Sequence, residues 1–198
     1  SRVVGVARAR RLRAELDEAA RAYDADRFND ALRVTRKLVQ LAPGIPEIRE
    51  LHGLVLYRLG RWREAIEHLE AFREMTGTAE EDHVLADAYR ALRRWDDVEE
   101  LWDELRRVSP NAEVVNEGRI VVAGSYADRG DLGRAIRLLE KGWRVPKRPQ
   151  IHHLRRAYAL ADLYERSGQT VRARELFRWV MNADREFADV VERVQALG

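Results

Sequence analysis

Apolar residues in this chain recur three and four positions apart, and the recurring set returns after about 34 residues. Ala31 and Ala65 lie 34 residues apart, as do Pro43 and Gly77. Trp62 and Trp95 lie 33 apart, and Tyr126 and Tyr164 lie 38 apart. Three-and-four spacing gathers side chains on one face of a helix. A repeat of this length on helical spacing predicts stacked helix-turn-helix units, each burying its apolar face against its neighbours. No alternating apolar–polar run bounded by turn residues interrupts the pattern, so an all-helical fold is expected.

Five units can be laid out, at about 12–45, 46–78, 79–112, 116–149 and 154–185. The first holds Ala19, Tyr23, Phe28, Ala31 and Leu38 and ends at Pro43; the third holds Tyr89, Trp95, Val98 and Trp102 and closes at Pro110. Gly53, Ala86, Ala123 and Ala161 are small residues that let a first helix approach its partner. Ala31, Ala65, Ala135 and Ala173 do the same from the second helix. Gly60, Gly130 and Gly168 are placed to end first helices in a left-handed backbone, and Asp131 and Thr170 to cap the helices that follow. Trp62 is expected in the core.

These residues resemble the tetratricopeptide-repeat (TPR) family, whose units carry W-x2-L-G-x2-Y, then A-x3-F, then a closing proline. The resemblance runs from about Leu12 to Arg185, although no unit has the opening tryptophan and Tyr57 falls one place late. The passages from Tyr57 to Gly77 and from Val121 to Gly130 look like an actinobacterial group of TPR proteins, which implies fold and not activity. The family fold is a right-handed α-solenoid, here of about five TPR units in a single domain over 1–198. A C-terminal capping helix at about 186–197 is expected to present Phe187, Val191, Val194 and Leu197 as one stripe.

The resemblance also implies a concave groove lined by first helices. The positions it would present are Glu50, Tyr57, Arg58, His83, Asp87, Arg90, Asp128, Arg155, Tyr158, Asp162 and Glu165. Chaperone-binding members grip a terminal carboxylate with Lys, Asn, Asn, Lys and Arg. The matching residues here are Leu16, Ala20, Leu51, Glu80 and Val84, so no carboxylate clamp for a chaperone tail is expected.

Composition narrows the function classes. The 36 basic residues nearly balance the 34 acidic ones, leaving a net charge of +2, which is weak support for nucleic acid. There is no cysteine, so disulfides, thiol nucleophiles and thiolate metal sites are excluded. The five histidines, His52, His68, His83, His152 and His153, form no H-E-x-x-H, and no metal site is expected. His152 and His153 are adjacent and would diverge by about 100 degrees on a helix. No glycine-rich phosphate loop and no G-x-S-x-G frame occurs. The acidic run from Asp96 to Glu104 surrounds Val98, Leu101, Trp102 and Leu105 at helical spacing and is read as a solvated helix face. No apolar run approaches a membrane span. The stretch from Ser1 to Val6 is too short for a signal peptide, so a cytoplasmic location is expected.

The expectation is a non-enzymatic protein–protein interaction scaffold without cofactor, taking a peptide or partner helix in its groove. The alternative is an RNA- or ribosome-associated helical-repeat protein. It would use the basic N-terminal helix (Arg8, Arg10, Arg11, Arg13) and the 144–156 segment with Arg144, Lys147, Arg148, Arg155 and Arg156.

Overall fold

A computed structural model describes residues 2–108 and 111–198, with side chains from residue 5 onward. Pro110, expected to close the third unit, lies outside the described residues. Among those residues the chain is helical throughout and contains no strand. It divides into two compact units, one ending at Arg94 and one starting at Trp95. The first unit holds α1 (Arg2–Asp24), α2 (Phe28–Leu41), α3 (Pro46–Arg58), α4 (Trp62–Thr76) and α5 (Asp82–Ala91). The second holds α6 (Trp95–Val108), α7 (Ala112–Asp128), α8 (Leu132–Glu140), α9 (Ile151–Arg166), α10 (Thr170–Ala183) and α11 (Val190–Ala196). The division falls inside the third expected repeat, between its two helices.

One turn geometry recurs after every first helix. The backbone turns left-handed at Asp26, Gly60, Arg93, Gly130 and Gly168. The next N–H then donates to the carbonyl five residues back. Arg27 reaches Ala22 at 2.8 Å, Arg61 reaches Leu56 at 2.9 Å, Arg94 reaches Tyr89 at 2.9 Å, Asp131 reaches Tyr126 at 2.9 Å and Gln169 reaches Tyr164 at 2.8 Å. This closure satisfies carbonyls that the ending helix would leave unpaired. Glycine serves at three of the turns because a left-handed backbone costs it nothing. Asp26 and Arg93 take the same conformation without that freedom, so the turn is set by its hydrogen bonds as well as by its residue.

Around each turn the small residues occupy fixed places. Ala31, Ala65, Val98, Ala135 and Ala173 are fully buried on the following helix. Ala19, Ala86, Ala123 and Ala161 are buried on the preceding one. Gly53 holds the same place on α3, where a methyl group would come within 2.8 Å of Leu69 Cγ and 3.3 Å of the Leu69 backbone nitrogen. The close approach of α3 to α4 therefore depends on an absent side chain.

In the first unit Ala22, Ala31 and Val55 form a buried cluster against Tyr23, Leu32, Leu51 and Leu59. In the second, Val122, Leu139, Leu160, Phe177 and Val180 are sealed from solvent. The acidic run lies as expected, with Val98, Leu101, Trp102 and Leu105 buried and Asp96, Glu100 and Asp103 exposed.

Four local expectations are corrected. Asp131 does cap α8, its side chain accepting from the Arg134 N–H at 2.8 Å, but Thr170 is the first residue of α10 and caps nothing. An unforeseen cap is Asn111, whose side chain accepts from the Val114 N–H at 2.8 Å to start α7. Trp62 is half-buried, resting edge-on against Tyr57 at 5.3 Å, because as the first residue of α4 it stands at the rim of the helix pair. The terminal helix is shorter than expected, with its first residue Val190 buried, Val191, Val194 and Leu197 half-buried, and Arg193 turned inward to Asp162. His152 and His153 do not diverge: their rings lie 4.0 Å apart, and His153 Nδ1 accepts the Gln150 N–H to cap α9.

Candidate docking faces on the first helices

In the first unit the groove candidates lie on α3 and α5. Tyr57 donates its hydroxyl to Asp87 Oδ2 at 2.7 Å, and Arg90 Nη1 reaches Asp87 Oδ1 at 3.3 Å. Burial and this bond to a carboxylate both push the Tyr57 phenol above its ordinary value, so it stays protonated and donating. Three predicted residues from two repeats therefore meet in one hydrogen-bonded set. Arg58 pairs with Asp26 at 3.0 Å and lies over the Phe28 ring at 4.3 Å. His83 Nδ1 lies 3.0 Å from the Glu80 carbonyl oxygen.

Glu50 stands beside an open cavity of about 380 Å³ between α1 and α3. Leu16, Ala20, Tyr23, Leu51 and Leu54 form its floor, each only half-buried. Leu16, Ala20 and Leu51 are three of the positions where a carboxylate clamp would carry polar or basic groups; here they make the floor apolar.

In the second unit the expected residues are engaged within the chain. Arg155 pairs with Glu117 at 3.2 Å, and Asp128 is exposed at the end of α7. Tyr158 donates to Asp189 and packs edge-on against Phe177. Arg193 of α11 reaches Asp162 at 2.6 Å and Glu165 at 3.0 Å. The terminal helix thus occupies the α9 face that the sequence reading assigned to a partner. Spacing could not reveal this, because it depends on where the last seven-residue helix folds back.

The basic residues behind the nucleic-acid alternative divide in two. Arg156 is buried, donating to the Leu139 carbonyl at 2.7 Å and 3.0 Å and to the Lys141 carbonyl at 2.7 Å. Arg119 donates to the same Lys141 carbonyl at 2.8 Å. Both guanidiniums thereby satisfy the end of the short helix α8. Burial, then the nearby Arg119 charge, pulls Arg156 down to about 10. It is a structural cap and has no phosphate-facing surface. Arg144, Lys147 and Arg148 are exposed on the connector before α9.

Sequence reasoning missed a recurring tyrosine contact. Tyr89 donates to Glu70, Tyr126 to Glu99 and Tyr164 to Glu140, each running from a first helix to the second helix before it. The returns of tyrosine at 89, 126 and 164 were the available signal. Among the described residues, no three His, Asp or Glu side chains converge as a metal would require. No described helix is long and apolar enough to cross a membrane.

No protein-family model matches the sequence, and no curated protein sequence matches it. Solved structures do match its fold. A thermophilic TPR protein of Thermus thermophilus superposes with a TM-score of 0.72 at 19% identity, over 94% of this chain and 98% of that one. PilF of Pseudomonas aeruginosa gives 0.67 at 13% identity, over 96% and 84%. MamA of Desulfovibrio magneticus RS-1, from its residue 41 onward, gives 0.65 at 14% identity, over 89% and 96%. With these neighbours, five matching turns and the recurring small residues, the chain has the fold of the tetratricopeptide-repeat proteins.

Proposed function

We propose that this chain is a protein-interaction scaffold that docks a peptide or helix of a partner on its first-helix faces. The observation that supports this most is the α1–α3–α5 side of the first unit. It combines a half-buried apolar floor with the polar side chains of Glu50, Tyr57, Arg58, His83, Asp87 and Arg90. Tyrosine and arginine on such a face are the residue types that most often anchor partners. In the second unit Asp162 and Glu165 are held by Arg193 of α11 and Tyr158 by Asp189 just before it, so this reading places the main docking surface in the first unit. No catalytic step is assigned to the chain.

The test is retention of the partner recovered by affinity purification from the native cell. The double substitution Tyr57→Ala with Arg90→Glu should reduce retention at least tenfold, while circular dichroism shows the helices intact. Undiminished retention by the folded variant would mean that this face is not the contact surface.

A further inference from the structure

The cavity between α1 and α3 has a one-sided charge. Asp17, Asp24, Glu47 and Glu50 stand around its apolar floor, against a single cation, Arg13. Arg13 is already engaged, its Nε bonding Asp17 Oδ1 at 3.1 Å. The side-chain carboxylates of Asp24, Glu47 and Glu50 make no hydrogen bond or ion pair with any described residue. Glu50 sits above the ordinary carboxylate value, first because of burial and then because Glu80 and Glu47 lie close. Among the residues that line the cavity, no cation is paired with these three acids.

A wet apolar floor and uncompensated carboxylates each favour the opposite chemistry. The floor gains by shedding water onto an apolar side chain. The rim gains by receiving cations, and its field raises the encounter rate of a basic ligand while repelling polyanions. We propose that this groove docks a segment of a partner protein in which an apolar side chain is flanked by lysines or arginines. The inference rests on the docking function above and names its partner class. The basic segment of α1 in a second copy is a weaker occupant, because that helix packs on α2 and Arg8 is bonded to the Leu41 carbonyl at 3.2 Å.

A phage-displayed dodecapeptide library selected against the whole chain tests the partner class. Recovered sequences should be enriched in lysine or arginine beside leucine, isoleucine, phenylalanine or tryptophan. In fluorescence polarisation, a recovered peptide should bind Glu47→Lys/Glu50→Lys at least tenfold more weakly, with the melting curve of the variant close to that of the parent. Serine in place of the apolar anchor should weaken it comparably. Enrichment in acidic residues, no charge bias, or unchanged binding by the variant would overturn the proposal. A concentration-dependent dimer of the chain in analytical ultracentrifugation that the peptide dissociates, and that Glu47→Lys/Glu50→Lys abolishes, would assign the groove to a second copy and overturn it as well. Failure of the docking function would show separately, in the Tyr57→Ala/Arg90→Glu retention measurement, because neither residue lines this groove.

Discussion

Replacing Phe177 by alanine should destabilise the chain by about 3–5 kcal/mol, the range for truncating a buried aromatic. Phe177 is fully buried on α10. The Tyr158 ring meets it edge-on at 5.3 Å, and the Arg193 guanidinium lies over it at 4.9 Å. The substitution therefore empties a space shared by α9, α10 and α11, and little can collapse into it because each side is already packed. Trp62→Ala provides the contrast. It removes a larger side chain, but Trp62 is half-buried at a helix start, so its loss should be the smaller of the two. Urea unfolding of both variants checks the order. A smaller loss for Phe177→Ala would mean that α11 does not seal this end of the second unit.

Acid should weaken the first unit through His52. This residue is buried on α3, with Nδ1 at 2.7 Å from the Thr35 hydroxyl of α2. Its ring meets that of His68 edge-on at 4.5 Å, and Arg49 donates to His68 Nδ1 at 3.0 Å. Burial, then the His68, Arg36 and Arg61 charges, lowers His52 to about 4, against a weaker pull upward from Glu64. Burial and Arg49 lower His68 as well. In the unfolded chain His52 takes its proton near pH 6.5, while in the folded chain it resists until about pH 4. The unfolded state thus binds more protons across that window. The stability contribution of His52 is complete above the upper value and is lost as pH falls toward the lower one, by about 3 kcal/mol.

Glu81 acts in the opposite sense. Burial, with Glu50, Glu80 and Asp82, raises it to about 7, so in the folded state it holds a proton that the unfolded chain releases. Its contribution is complete at low pH and falls as pH rises through that range, which flattens the profile of the parent. His52→Gln isolates the histidine. The stability of the parent relative to this variant should fall by about 3 kcal/mol between neutral pH and pH 4. A constant difference would mean that His52 titrates normally.

Much of the fold was legible because the constraints are local or strictly periodic. The small residues at 31, 65, 135 and 173 and at 53, 86, 123 and 161 marked where helices touch. Glycine marked three of the five left-handed turns. The turns at Asp26 and Arg93 carried no such mark, since their geometry comes from backbone bonds that many residues permit. The face positions on α3 and α5 also followed from spacing. Their pairings did not: Tyr57 meets Asp87 only because successive first helices pack in one register. Arg156 read as surface charge; Gly142, left-handed just past Lys141, marks where α8 stops, but that the Arg156 side chain folds onto the freed carbonyls depends on the packing of α9 against that end.

Hydrogen exchange of the chain bound to its purified partner tests the docking account most directly, because a docked face slows the opening of the helices beneath it. The account predicts added protection on α1, α3 and α5, with α2 and α4 exchanging as in the free chain. Added protection confined to α2, α4 or α10, with the first helices of the first unit unchanged, would contradict it.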